Sequence, residues 1–243
     1  AILEIIVAGY ALALPFLFDL VRWLYTLAYR HVSDDLLFLT AFRFILALLI
    51  LLIPCICMGG TLPVLIRGLA RDDKQFGIRM GWLYGVNTLG AVAGVLLSGF
   101  YLIPWIGLSH TNTLAAMTDL FAGIGAWIVC GKYLIHDPSA GQPERPFRWS
   151  NLTRNAKWAV AVATVCGFTS LALEVVWFRA LILVFGSTTY SFTVMLAVFL
   201  FGIGLGSLLI APLLDRVRSL TGLLAVTVAA IGLYTLWSMY RFD

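Results

Sequence analysis

Residues 44–66 read FILALLILLIPCICMGGTLPVLI, and no charged side chain stands between Arg43 and Arg67. A helix needs about 20 consecutive apolar residues to cross about 30 Å of hydrocarbon, and this run supplies them. Extended back to Leu36, it predicts one long helix over 36–66, kinked at Pro54. The run is apolar on every side, as a helix surrounded by lipid is. Similar runs fill most of the chain. Of its 243 residues 61% are hydrophobic and 12% charged, whereas a soluble domain is about half apolar and about a quarter charged. One soluble core cannot hide that excess. The runs are continuous rather than alternating, which argues against a membrane β-barrel. The expected fold class is all-α, a polytopic transmembrane bundle of about seven spans.

Six more segments follow the same reading. The first span covers 1–18, and 19–35 reads as an amphipathic stretch whose Trp23, Tyr25 and Tyr29 suit the membrane interface. After the polar loop 67–79 come spans over 80–103, stopped by Pro104, and over 111–131. The segment 132–157 holds Pro138, Gly141, Pro143 and Pro146 and reads as a linker. Spans over 158–185, 189–214 and 220–240 complete the set. Domain boundaries are expected at 1–131, 132–157 and 158–243: four helices closing one repeat, a linker, and three helices opening the next. The sequence opens at Ala1 directly on an apolar run with no basic segment before it, so no signal peptide is expected.

Orientation follows from the basic residues. Alternate loops carry Arg67, Arg71, Lys74, Arg79, then Lys132, Arg145, Arg148, Arg154, Lys157, then Arg216 and Arg218. Those are eleven of the sixteen Lys and Arg, which predicts that 67–79 and 132–157 are cytoplasmic. The net charge of +4 is explained by these loops, so the lipid bilayer and not nucleic acid is the expected partner. Cys55 and Cys57 are two apart on a helix, point to different sides and cannot hold one metal together. His31, His110 and His136 fall in or beside loops, and no metal, haem or other cofactor is expected. Small-residue pairs at four-residue spacing, Gly81/Gly85, Gly90/Gly94 and Gly202/Gly206, are expected to let helix backbones approach closely.

Three stretches share a pattern: Met58-Gly59-Gly60-Thr61-Leu62-Pro63-Val64-Leu65; Leu83-Tyr84-Gly85-Val86-Asn87-Thr88-Leu89-Gly90-Ala91 with Gly94 and Gly99-Phe100; and Gly167-Phe168 with Ala172-Leu173-Glu174-Val175-Val176-Trp177, Arg179 and Phe185-Gly186-Ser187-Thr188. In combination they resemble the membrane part of bacterial fused major-facilitator-like/spermidine synthase proteins. Gly206 to Arg218, with Asp215-Arg216, also resembles the cytoplasmic loop motif of major facilitators. The resemblance implies a two-repeat major-facilitator-like arrangement in a bacterial inner membrane. It also implies that the chain begins and stops in the third helix of successive repeats. In that family a soluble aminopropyltransferase-like domain follows, and no residue of 1–243 matches its catalytic centre. Enzymatic activity of this chain is therefore left open, with no catalytic residue named.

Ionisable groups inside a span are the natural functional candidates, because charge in lipid is costly. Glu174 lies well inside its apolar run, one turn from Trp177 and Phe178. Arg179 is about 140° around the same helix, so Glu174 needs a partner from elsewhere. It reads either as a contact for a polyamine, another small cation or a proton, or as a structural hydrogen bond. Asp119 is at a comparable depth, and Asn87 sits among the glycines of the third span. Two roles remain: a transporter-like domain handling polyamines or small cations through Glu174, Asp119 and Asn87, or a non-transporting accessory subunit packed against other membrane subunits.

Overall fold

The computed structural model describes residues 1–31, 35–69, 76–133, 153–214 and 220–242. These form α1 (Ile2–His31), α2 (Leu36–Leu69), α3 (Phe76–Leu97), a π-helical turn (Ser98–Leu102), α4 (Ile103–Tyr133), α5 (Arg154–Phe185), α6 (Thr188–Leu214) and α7 (Leu220–Phe242). No strand occurs among the described residues. Backbone groups in lipid must be satisfied within the segment, and helices do this. Five stretches are long and apolar enough to cross a membrane: Ile2–Arg30, Leu36–Leu65, Met80–Val129, Ala156–Phe185 and Thr188–Pro212. Met80–Val129 runs through both α3 and α4, while Gly222–Ser238 in α7 is shorter. The chain is thus an all-helical bundle whose apolar faces suit contact with membrane lipid.

Two boundaries differ from the sequence reading. The stretch 19–35, expected as a separate interfacial element, is mostly the continuation of α1. Thirty residues of helix measure about 45 Å, more than the hydrocarbon thickness, so one helix supplies both a span and its polar end. On that end Arg22 pairs with Asp19 at 3.7 Å, and Arg43 from α2 lies 4.6 Å over the Tyr25 ring. Second, Pro104 does not stop α3. It sits in the first turn after the π-helical segment, where its missing N–H is tolerated, and the break falls at Gly107, with φ 78° and ψ 169°. A side chain is strained in that conformation, so glycine marks the kink.

The helices cluster into two compact units, α1 with α2 and α4, and α3 with α5, α6 and α7. Among the prolines inside helices of the first unit are Pro15 in α1 and Pro54 in α2. Each removes the N–H that would bond the carbonyl four residues earlier, orphaning Ala11 O and Ile50 O. Both carbonyls are met from a neighbouring helix. Asn112 Nδ2 of α4 donates to Ala11 O at 2.7 Å, and Tyr10 Oη of α1 donates to Ile50 O at 2.6 Å. The buried small side chains Ala8 and Ala116 sit in this unit.

In the second unit α3 and α6 run antiparallel in close contact. A Cβ on Gly81 would lie 2.5 Å from Ala211 Cβ, one on Gly85 would lie 2.6 Å from Leu208, and one on Gly99 would enter the Thr193 side chain. Gly204 lies opposite Gly85 and Leu89. The seam runs from Gly81 and Gly85 on α3 to Gly99 in the π-helical turn that follows it. The expectation of glycine-mediated approach holds for Gly81 and Gly85. At Gly90, Gly94, Gly202 and Gly206 an added Cβ would meet no neighbouring element within 4 Å among the described residues. Gly204 is about 200° around the helix from Gly202, so only one of these glycine faces meets α3.

Helices α5 and α6 are joined by Gly186 and Ser187 alone. Gly186 takes φ 64° and donates its N–H to Ile182 O at 2.9 Å, the left-handed ending that glycine permits. At the other end of α5, the Thr153 hydroxyl caps Ala156 N at 3.3 Å.

Candidate functional site

Glu174 is half-buried on α5, eleven residues before the end at Phe185, or about 16 Å of helix. Among the described residues its carboxylate has neither a hydrogen bond nor an ion pair; the salt bridge found there is Arg22–Asp19. The interhelical partner expected for it is therefore absent from these residues. Arg179 is exposed, as its position around the helix requires.

Glu174, Trp177, Leu181 and Val184 recur at i, i+3, i+7 and i+10, so they share one face of α5. Along that face runs a groove of about 410 Å³, lined by Trp177, Leu181 and Val184 of α5, Met195 and Val198 of α6, and Tyr234 and Ser238 of α7. Its volume is in the range of small-molecule sites. Phe178 meets Phe192 edge to face at 5.9 Å and fixes α5 against α6. Because α5 and α6 form a tight antiparallel hairpin, Val198 lies near the level of Glu174, and Val184 lies toward the Gly186 turn. The groove is thus mainly apolar, with the hydroxyl-bearing Tyr234 and Ser238 contributed by α7, and has the carboxylate a turn beyond its Trp177 wall. Sequence reading missed the groove, although the face spacing of Trp177, Leu181 and Val184 with Glu174 was there to be read.

Asp119 is half-buried on α4 in the other unit. Its neighbour is Glu4 of α1, close enough for the two carboxylates to interact. Gly123, one turn after Asp119, explains the approach: a Cβ there would lie 3.2 Å from Glu4 Cβ. The pair was not expected, since Glu4 reads from sequence as an edge residue. Asn87 is exposed on α3, about 160° from buried Gly85, and among the described residues its amide has no partner. Its neighbour Thr88 is buried and satisfied by Tyr84 O at 2.8 Å. Glu174 and Asn87 stand on different helices of one unit, and Asp119 stands on α4 of the other. Among the described residues no three His, Cys, Asp or Glu side chains converge as a metal site would.

Over 84 residues, a third of this chain, the sequence is 31% identical to a polyamine aminopropyltransferase of Corynebacterium efficiens. The matched part covers 16% of that protein's length. No protein-family profile matches the chain, and no solved structure does.

Proposed function

We propose that this chain is the membrane domain of a spermidine synthase-like protein and handles a polyamine or another small cation through Glu174. The observation that carries the reading is the carboxylate itself. It sits inside an apolar span, without a partner among the described residues, beside a groove large enough for a small molecule. Leaving a charge so placed is costly unless something compensates it, and a cationic ligand does so. The likeness to a polyamine aminopropyltransferase supports the choice of cation. Asp119 and Asn87 are proposed as further polar contacts, each tested singly. No catalytic residue is proposed on this chain.

The Glu174→Gln variant separates ligand contact from scaffold. In proteoliposomes, uptake or binding of a labelled amine, either spermidine or a long-chain monoamine, should fall at least about tenfold, the loss expected of one charge-assisted contact. The thermal midpoint should stay unchanged. A lowered midpoint with unaltered amine handling would assign Glu174 to structure.

The proposal includes seven spans in a two-repeat major-facilitator-like arrangement in a bacterial inner membrane, divided at 1–131, 132–157 and 158–243. The loops 67–79 and 132–157 are cytoplasmic in it, mostly outside the described residues. Single cysteines at Ser33 and Ser139, in a background lacking the native cysteines, test the orientation. An impermeant maleimide applied to intact cells should label the first and spare the second; the opposite pattern rejects the orientation.

A further inference from the structure

We infer that the groove between α5, α6 and α7 selects a primary amine with an uncharged, unbranched aliphatic body, its ammonium at Glu174 and its chain lying toward Val184. The inference rests on Glu174 being the cation contact and adds the class of ligand. Two features of the groove carry it. Charge is confined to one end. The rest of the lining holds no charged side chain, only the hydroxyls of Tyr234 and Ser238 among apolar groups, and burying a second, uncompensated charge against such walls is unfavourable. A ligand charged along its whole length therefore fits poorly, whereas a chain of methylenes gains from every wall residue.

Length is the second feature. From Glu174 to Val184 is ten residues, about 15 Å of helix; less about 3 Å for the ammonium–carboxylate contact, an extended chain of roughly eight to ten carbons reaches most of that length. The volume of about 410 Å³ is ample for such a chain. Trp177 adds an aromatic face one turn from the carboxylate, where a ring stabilises an ammonium.

Purified full-length chain in phosphatidylcholine nanodiscs, titrated with octylamine, octanol, octanoate and spermidine, tests this, with calorimetry as the readout. Octylamine should bind at least about tenfold more tightly than octanol or octanoate, and Glu174→Gln should abolish the difference. Val184→Trp, which blocks the end of the groove farthest from the carboxylate, should weaken octylamine about tenfold and leave any spermidine binding unchanged. Equal binding of octylamine and octanol, insensitive to Glu174→Gln, would show a groove for lipid chains only and overturn the inference. Glu174-dependent spermidine binding that octylamine does not displace would overturn it while leaving Glu174 as a cation contact. If no amine depends on Glu174, both fail.

Discussion

Gly99→Ala should destabilise the protein by about 1–3 kcal/mol, the usual cost of forcing extra atoms into a closed contact. The new methyl would collide with Thr193, which is buried and held by a hydroxyl bond to Thr189 O at 2.9 Å. Thr193 has little freedom to turn away. Removing its hydroxyl and methyl in Gly99→Ala/Thr193→Ala should recover part of the loss. Gly90→Ala is the control on the same helix. Nothing lies within 4 Å of that site, so the substitution should be neutral or gain about 0.5–1 kcal/mol from helix propensity. Thermal unfolding in detergent, followed by intrinsic fluorescence, reads all four proteins. Equal behaviour of Gly99→Ala and Gly90→Ala would contradict the α3–α6 seam.

The second large effect comes from the proline inside α1, Pro15. Asn112→Ala should cost about 1–3 kcal/mol, because it strands the Ala11 carbonyl away from water. The distinctive part is its dependence on the proline. In a Pro15→Ala background residue 15 regains an N–H, the carbonyl is served within α1, and the same Asn112→Ala change should cost a fraction of that. Tyr10→Phe should depend on Pro54 in the same way through the Ile50 carbonyl. A double-mutant cycle gives the coupling directly. Additive losses would mean that the asparagine acts through packing and not through the orphaned carbonyl.

These contacts mark how far the sequence could be read. Helices and their apolar runs were plain, because lipid imposes one local rule on every residue of a span. Which glycines touch was not, since Gly81/Gly85 and Gly90/Gly94 have the same spacing and only the placement of α6 tells them apart. Pro54 announced a carbonyl in α2 left without its helical N–H partner. Nothing near it in sequence announced that Tyr10, forty residues away, would complete its hydrogen bonding. Pro104 outranked Gly107 as a stop signal on local chemistry, yet the positive φ of Gly107 makes the break. At the candidate site, Glu174 stood out as a charge in an apolar run. Its groove needed α6 and α7 in place, and the nearness of Glu4 to Asp119 needed α1 beside α4.

The shortness of the α5–α6 connection bears on how this part of the protein enters a bilayer. Gly186 and Ser187 give no slack, so one span cannot settle in hydrocarbon while the other waits in water on the far side. The pair has to insert together, as a hairpin led by its tip. That tip is cheap to carry across. It has no charge, its Gly186 N–H is already bonded to Ile182 O, and the Ser187 carbonyl already accepts from the Ser191 hydroxyl at 2.7 Å. An arginine at position 187 would have to be dragged through the same hydrocarbon, so this two-residue tip limits what the translocation step of this hairpin can tolerate.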